Sequence, residues 1–453
     1  MWPMLKFIHA RAPYFVYFFI LIAILFLSSK SSLMPLKGEE GYFAWILSNQ
    51  VKDNSFLLVG QIDNNNLFQY PEHPILMYKF IDNLDFFSDA LLKFNVDPIQ
   101  SLRLTNFLSL LPTLIIITFL IRNSRFLILK SCVVLTLFVT PFFLISFFGL
   151  QTDTLFGSMV FSFFGLLIFL STRSKMVVAK NFLFLLAGIA ISTGKQEWTF
   201  FLFFALILFF LTSYVLSKFQ SNDFNSSIRG VTYLALGSLI GNVFSYLVDP
   251  YNYLAGLEVF KRIIISKQIH EPVEISVYID SFMQRFPFVA LVFFLISFFF
   301  VSTVFTQSVI KSVFINEKIL LLLLSGVSIM LPFASLWNME LRYFAPGFSL
   351  SVLTLSWLIF ETKSRQFLLL LLTLLIPIIS IISFNKLLDF DSQIFSNTYP
   401  KNEGNYQVNC VNFSSAGIAF NYPGGVNWIS QDLGIAGARK YIQNIYGDKY
   451  KLC

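Results

Sequence analysis

Apolar runs of membrane-spanning length recur along the chain between residues 13 and 384. About 20 apolar residues carry a helix across the hydrocarbon core of a bilayer. Inside that core a backbone must satisfy its own hydrogen bonds, so each run is committed to helix. The runs predict about eleven spans, near 13–29, 104–121, 127–149, 154–171, 181–194, 199–217, 230–248, 286–306, 319–336, 343–360 and 367–384. The 181–194 run is short and also reads as one arm of a re-entrant hairpin with 199–217. Span one lacks a small-residue cleavage site before Lys30, so it is expected to remain as an anchor rather than act as a cleaved signal.

Composition points the same way. Only 13 % of the 453 residues are charged and 56 % are hydrophobic, where a soluble domain carries roughly a quarter charged residues. So few charges cannot clothe a water-soluble particle of this size. A soluble enzyme, a nucleic-acid-binding protein and a disordered chain are excluded on that ground. The net charge of +7 finds its place in the loops. With the N-terminus inside, the cytoplasmic face collects Lys6, Arg11, Arg122, Arg125, Arg173, Lys175, Lys180, Lys218, Arg229, Lys311, Lys318, Lys363 and Arg365. The short outer loops keep little beyond Lys195 and Arg342, as the positive-inside rule requires. Three cysteines give neither a disulfide scaffold nor a zinc cluster. Cys410 and Cys453 share the outer tail and can pair in an oxidising compartment, although their spacing fixes no geometry.

This orientation leaves three long polar segments outside: 30–103, 249–284 and 385–453. Tyr42–Val51 and Ile75–Leu92 are amphipathic and are expected to lie in the interface plane. The last segment differs in kind, with short alternating stretches such as Val408–Phe413 and a Tyr-Pro-Gly-Gly turn at 422–425. The expected organisation is an all-α polytopic membrane domain over 1–384, followed by a small extracytoplasmic α/β domain over 385–453.

Ionisable groups inside a bilayer are costly, so their positions are informative. No Asp or Glu falls at the centre of an expected span. The acids and unusual bases gather instead at the outer ends. Glu39 and Glu40 follow span one and open an aromatic stretch containing Tyr42; they serve either as a solvated pair at a helix start or as a general base in a partly dry cleft. Glu72 and His73 stand between Pro71 and Pro74, which hold them in an extended turn. That turn is either a plain exposed one or a site for a phosphate or metal. His270 in the second long loop offers another nitrogen ligand, but no ligand pair stands at i, i+4 spacing.

Asp153 lies in a very short loop where Thr152 or Asp153 can cap span four. Lys195 and Glu197 occupy a tight outer turn, suited either to a mutual ion pair or to phosphate binding. The Gly188–Lys195 run is one residue too long for a nucleotide phosphate loop, and Gln196 replaces the needed hydroxyl residue. Arg342, beside Tyr343, stands at an outer boundary against the charge trend, as an interface arginine or a bidentate phosphate ligand. Arg262, with Lys261 and Lys267, forms a second outer basic cluster suited to lipid headgroups.

Taken in order, these elements resemble the GT-C glycosyltransferases. The likeness is to the group of the dolichyl-phosphate-mannose protein mannosyltransferase-like enzymes and the lipid A aminoarabinose transferases. Gly38-Glu39-Glu40-Gly41-Tyr42 resembles their Asp-Glu-x-x-Tyr motif after span one. Glu72-His73-Pro74 is similar to their Glu-Lys-Pro element, Thr152-Asp153 to their second outer acid, and Arg342-Tyr343 to their basic-aromatic pair before a proline. The likeness covers the order of elements over about residues 10–360. Glu39 stands where the family has Asp, which moves the carboxylate by about 1.5 Å. His73 replaces a common Lys, which makes a phosphate contact there pH-dependent.

The resemblance implies a GT-C bundle with amphipathic interface helices in the first outer loop. It implies transfer of a sugar from a polyprenyl-phosphate-sugar donor to an outer lipid, glycan or protein acceptor, with inversion. Glu39 or Glu40 would act as base, with Asp153 orienting the acceptor or supporting the base. His73, Lys195, Arg342, Tyr42, Tyr343 and Arg262 would bind the lipid phosphate. No cofactor is required, and a divalent ion at Glu72 and His270 is the one metal site to consider. The implied location is a bacterial inner membrane, or the endoplasmic reticulum in a eukaryote, with the site on the extracytoplasmic side. Two rivals stand beside it: a transporter or flippase of a lipid-linked sugar, and a non-catalytic membrane partner. A transporter normally has polar groups or broken helices near the midplane, where this sequence places its acids at the outer ends.

Overall fold

The computed structural model describes residues 106–121, 127–139, 153–219, 224–248, 287–309, 315–334 and 341–361, three strands between 410 and 430, and a few single positions beside them. Among these residues, three helical stretches are long and apolar enough to cross a membrane: Thr154–Arg173, Gln196–Val215 and Ile228–Val248. The chain is accordingly a helical membrane protein. The helices are α1 (Leu111–Ile121), α2 (Leu127–Val139), α3 (Ser158–Arg173), α4 (Val177–Ser192), α5 (Gln196–Phe219), α6 (Phe224–Val248), α7 (Pro287–Val309), α8 (Ile315–Ala334) and α9 (Ala345–Glu361). Span one and the 367–384 span fall almost wholly outside the described residues, as do the two amphipathic stretches of the first outer loop.

Three of the four prolines in these helices stand where a helix can accept them, while Pro332 lies in the last turn of α8. Pro112, Pro287 and Pro346 occupy the first or second position of α1, α7 and α9, where the missing N–H would have had no intrahelical partner. Six hydroxyl residues are accommodated by bonding back to their own helix. Thr118, Thr212, Thr232, Ser328, Ser351 and Thr354 each donate to the carbonyl four residues earlier, at 2.6–2.9 Å. That removes the cost of carrying a polar group in an apolar helix.

Helix α9 is the axis of the bundle. Every residue from Ala345 to Phe360 is buried, enclosed chiefly by α3, α8 and α1, with α2 and α7 adding smaller contacts. It runs parallel to α3: Ser349 donates to the Ser158 carbonyl at 2.9 Å near one end, and Phe169 meets Trp357 edge-on near the other. It runs antiparallel to α8, with Gly347 against Ser328 at one end and Lys318 paired with Glu361 at the other.

Among the described helices, α4 and α6 make the closest contact. A Cβ on Gly188 would stand 2.1 Å from the Leu234 carbonyl oxygen, and one on Gly237 2.1 Å from that of Leu185. Only glycine permits backbones to approach so nearly, and in lipid such packing replaces the hydrophobic drive as the cause of helix association. This contact also bears on the 181–194 run. α4 lies mainly on α6 and α3 and touches α5 little, so the two arms do not lie against each other as those of a hairpin do. Helices α5 and α6 turn many apolar residues outward, among them Ile207, Leu211, Leu239, Val243 and Leu247, as helices bordered by hydrocarbon do.

In the tail, Cys410–Ser414, Gly417–Tyr422 and Gly425–Ser430 form strands β1, β2 and β3 of an antiparallel sheet in that order. Tyr422 pairs with Gly425, which puts the reversal at the Tyr-Pro-Gly-Gly sequence. The helical part expected for this tail lies outside the described residues.

Candidate functional site

Three connections meet at one end of the bundle. The first is a π-helical turn, Asp153–Gly157, leading into α3. The second joins α4 to α5 through Thr193, Gly194 and Lys195. The third is a 3-10 turn, Leu341–Phe344, leading into α9. The first and third touch each other, and the first also touches the 3-10 turn Asn106–Leu110 that opens α1.

Trp198 joins the first two connections and reaches the start of α9. It is 2 % exposed, with its ring centroid 6.0 Å from Phe156 and 5.7 Å, edge-on, from Phe161. Two glycines make room for it: a Cβ on Gly194 would stand 2.1 Å from the indole, and one on Gly157 2.7 Å from it and 2.8 Å from Pro346. The Trp198 amide donates to the Lys195 carbonyl at 3.0 Å, and the Thr193 amide to that of Ile189 at 3.0 Å. The connection is thereby held tight, with Lys195 buried inside it.

A polar seam continues from this point between α4, α5 and α6. Ser192 and Ser238 share a hydroxyl contact. Asn242 donates to the Ser238 carbonyl at 2.8 Å and to Thr199 at 3.4 Å, and it accepts from the Tyr253 phenol at 3.0 Å. Gln196 donates to the Tyr253 carbonyl at 3.2 Å, and Tyr246 meets the Tyr253 ring edge-on. Burial pushes the Tyr253 phenol above its ordinary range, because the phenolate loses its hydration there. The group therefore remains a donor at neutral pH.

Among the expected site residues, Asp153, Lys195, Arg342 and Tyr343 belong to these three connections at the one end. Helical backbone runs from Asp153 directly into α3, and the residue before α3, Gly157, has no capping side chain. Asp153 thus opens the helical segment. Glu39, Glu40, Tyr42, Glu72, His73, Arg262 and His270 lie outside the described residues. Among the described residues no group of three or more His, Cys, Asp or Glu could hold a metal ion. Among the described side chains, this end offers the buried Lys195 and neutral hydrogen-bonding groups beside an aromatic wedge, and a lysine ammonium suits an anionic group.

Sequence reasoning missed Trp198, its two glycines and the seam. The seam's trace in the sequence is Ser238 and Asn242, four residues apart on α6. Protein-family models, curated proteins and solved structures were all compared with the chain, and none of them matches it.

Proposed function

We propose that this protein is an integral-membrane glycosyltransferase of GT-C type. In this reading a bundle of about eleven spans moves a sugar from a polyprenyl-phosphate donor to an extracytoplasmic hydroxyl. The observation that carries the reading is the meeting of the Asp153, Lys195 and Arg342 connections at one end of the bundle. A lipid-linked donor needs such an arrangement. Its tail must stay in hydrocarbon while its phosphate and sugar reach polar groups at the rim.

The chemistry is a single displacement. Glu39, with Glu40 as the second choice, takes the proton of the acceptor hydroxyl as its oxygen bonds to the sugar's anomeric carbon. The bond from that carbon to the phosphate oxygen breaks, and the electron pair leaves with the polyprenyl phosphate. Positive charge grows on the sugar ring in the transition state and the anomeric centre inverts. Lys195 and Arg342 hold the departing phosphate, with His73, Tyr42, Tyr343 and Arg262 around it. Asp153 orients the acceptor. Glu72 and His270 are the candidates for a divalent ion, and no step depends on one.

The test is transfer of a radiolabelled sugar from a synthetic polyprenyl-phosphate donor by the purified protein in nanodiscs. Glu39→Gln is expected to lower the rate at least a hundredfold, with Arg342→Lys raising the donor KM. Normal transfer by both Glu39→Gln and Glu40→Gln removes the base assignment. Vectorial movement of intact donor without bond cleavage would favour the flippase reading.

A further inference from the structure

A second polar cluster lies at the opposite end of the bundle and plays no part in the proposed transfer. The charged side chains described on α2, α3, α4, α8, α9 and the α3–α4 turn at that end are Lys130, Arg173, Lys175, Lys180 and Lys318, against Glu317 and Glu361. Glu361 is shared by Arg173, at 2.9 Å, and Lys318. Glu317 accepts from Lys180 at 2.6 Å. Lys130 is buried and donates to the Phe360 carbonyl at 2.9 Å. Five cations thus face two carboxylates, and both acids are already engaged. The surplus reaches the surface at Lys175, which is exposed, and at Arg173, whose side chain is half exposed.

The turn and the first two residues of α4 carry an apolar triplet. Met176, Val177 and Val178 are 69 %, 57 % and 76 % exposed, directly between Lys175 and Lys180. The depth of the turn follows from helix length. The span-length stretch Thr154–Arg173 ends at this turn. Helix α4 has 16 residues, a length of about 24 Å, against a core of about 30 Å. A short helix draws its flanking residues toward the hydrocarbon, and long basic side chains reach back to the headgroups. The turn therefore belongs at phosphate depth, with its apolar triplet on the acyl side.

We infer that the α3–α4 turn, backed by this charged layer, binds an anionic glycerophospholipid. Lys175 and Arg173 meet the phosphate, and Met176, Val177 and Val178 lie along the acyl chains. The inference is independent of the glycosyltransferase reading.

The full-length protein in detergent is titrated with phosphatidylglycerol or phosphatidylcholine of identical acyl chains, and bound lipid is counted by native mass spectrometry. Phosphatidylglycerol is expected to bind at least tenfold more tightly. Lys175→Gln should weaken it about fivefold, the weight of one basic residue at a membrane surface, and leave phosphatidylcholine unchanged. Lys175 lies on the surface, so this substitution keeps the ion pairs of the layer in place. Val178→Ser should weaken both lipids. Equal affinity for the two lipids overturns the inference, as does an unchanged preference in Lys175→Gln. An equal loss in Lys401→Gln, a tail residue, also overturns it, because total charge rather than this turn would then set the preference.

Discussion

Replacing Trp198 by alanine should loosen the end of the bundle where Asp153, Lys195 and Arg342 are placed. Separated helices remain in lipid, so the gain from leaving water is not at stake and lost packing dominates. The substitution empties roughly 140 Å³ at a fully packed site. At about 24 cal/mol per Å³ of residual cavity, that costs about 3 kcal/mol. Loss of the ring contacts with Phe156 and Phe161 adds about 0.5–1.5 kcal/mol each, for a total of about 4–6 kcal/mol. Gly194→Ala attacks the same contact from the other side. Its new methyl would stand 2.1 Å from the indole, an overpacking worth about 1–3 kcal/mol. The two changes must therefore interact. With the indole gone, Gly194→Ala should become nearly neutral, giving a coupling of at least about 1 kcal/mol. Unfolding in mixed micelles titrated with sodium dodecyl sulfate, followed by far-ultraviolet circular dichroism, measures all four proteins. Strict additivity, or a cost of under about 1 kcal/mol for Trp198→Ala, refutes the wedge.

Two further outcomes rest on single contacts. Gly237→Ala places a methyl 2.1 Å from the Leu185 carbonyl oxygen; neither backbone can yield locally, so the same micelle titration should show a loss near the upper end of the about 1–3 kcal/mol range. Tyr253 is held neutral by burial. Its contribution to stability is thus complete below the ordinary tyrosine pKa of about 10 and disappears as pH rises through the higher folded value. The difference in 295 nm absorbance between native protein and Tyr253→Phe during alkaline titration should rise only above about pH 10; a midpoint at or below 10 contradicts the desolvation of this phenol.

The helices were legible because apolar run length is a direct physical requirement of the bilayer. The expected spans 104–121, 154–171 and 230–248 fall on the helical stretches Asn106–Ile121, Asp153–Arg173 and Phe224–Val248. The 181–194 span begins four residues late. Lys180 looked like a loop charge, whereas it stands inside α4 and is paired with Glu317 from α8. Such a partner, 137 positions away, leaves no local mark. Gly188 and Gly237 look like ordinary small residues until their neighbours are known. The seam was passed over for a related reason. Serine, threonine and asparagine in an apolar helix can bond to their own backbone, so only packing reveals that Asn242, besides doing so, ties three elements together. For the site, the order of Asp153, Lys195 and Arg342 along the chain suggested a common side, while Trp198 gave no sign of its place among them.

The central claim is that the first-loop carboxylates share one rim of the bundle with the Asp153, Lys195 and Arg342 connections. Cross-linking tests it most directly. In a background with Cys132, Cys410 and Cys453 replaced by serine, Tyr42→Cys is combined either with Tyr343→Cys or with Lys175→Cys, and membranes are treated with a short bifunctional thiol reagent. Proteolysis between the two positions then reports whether they are joined. Joining of 42 to 343 and not to 175 is the predicted result. Joining of 42 to 175 and not to 343 places the glutamates at the opposite end and contradicts the claim.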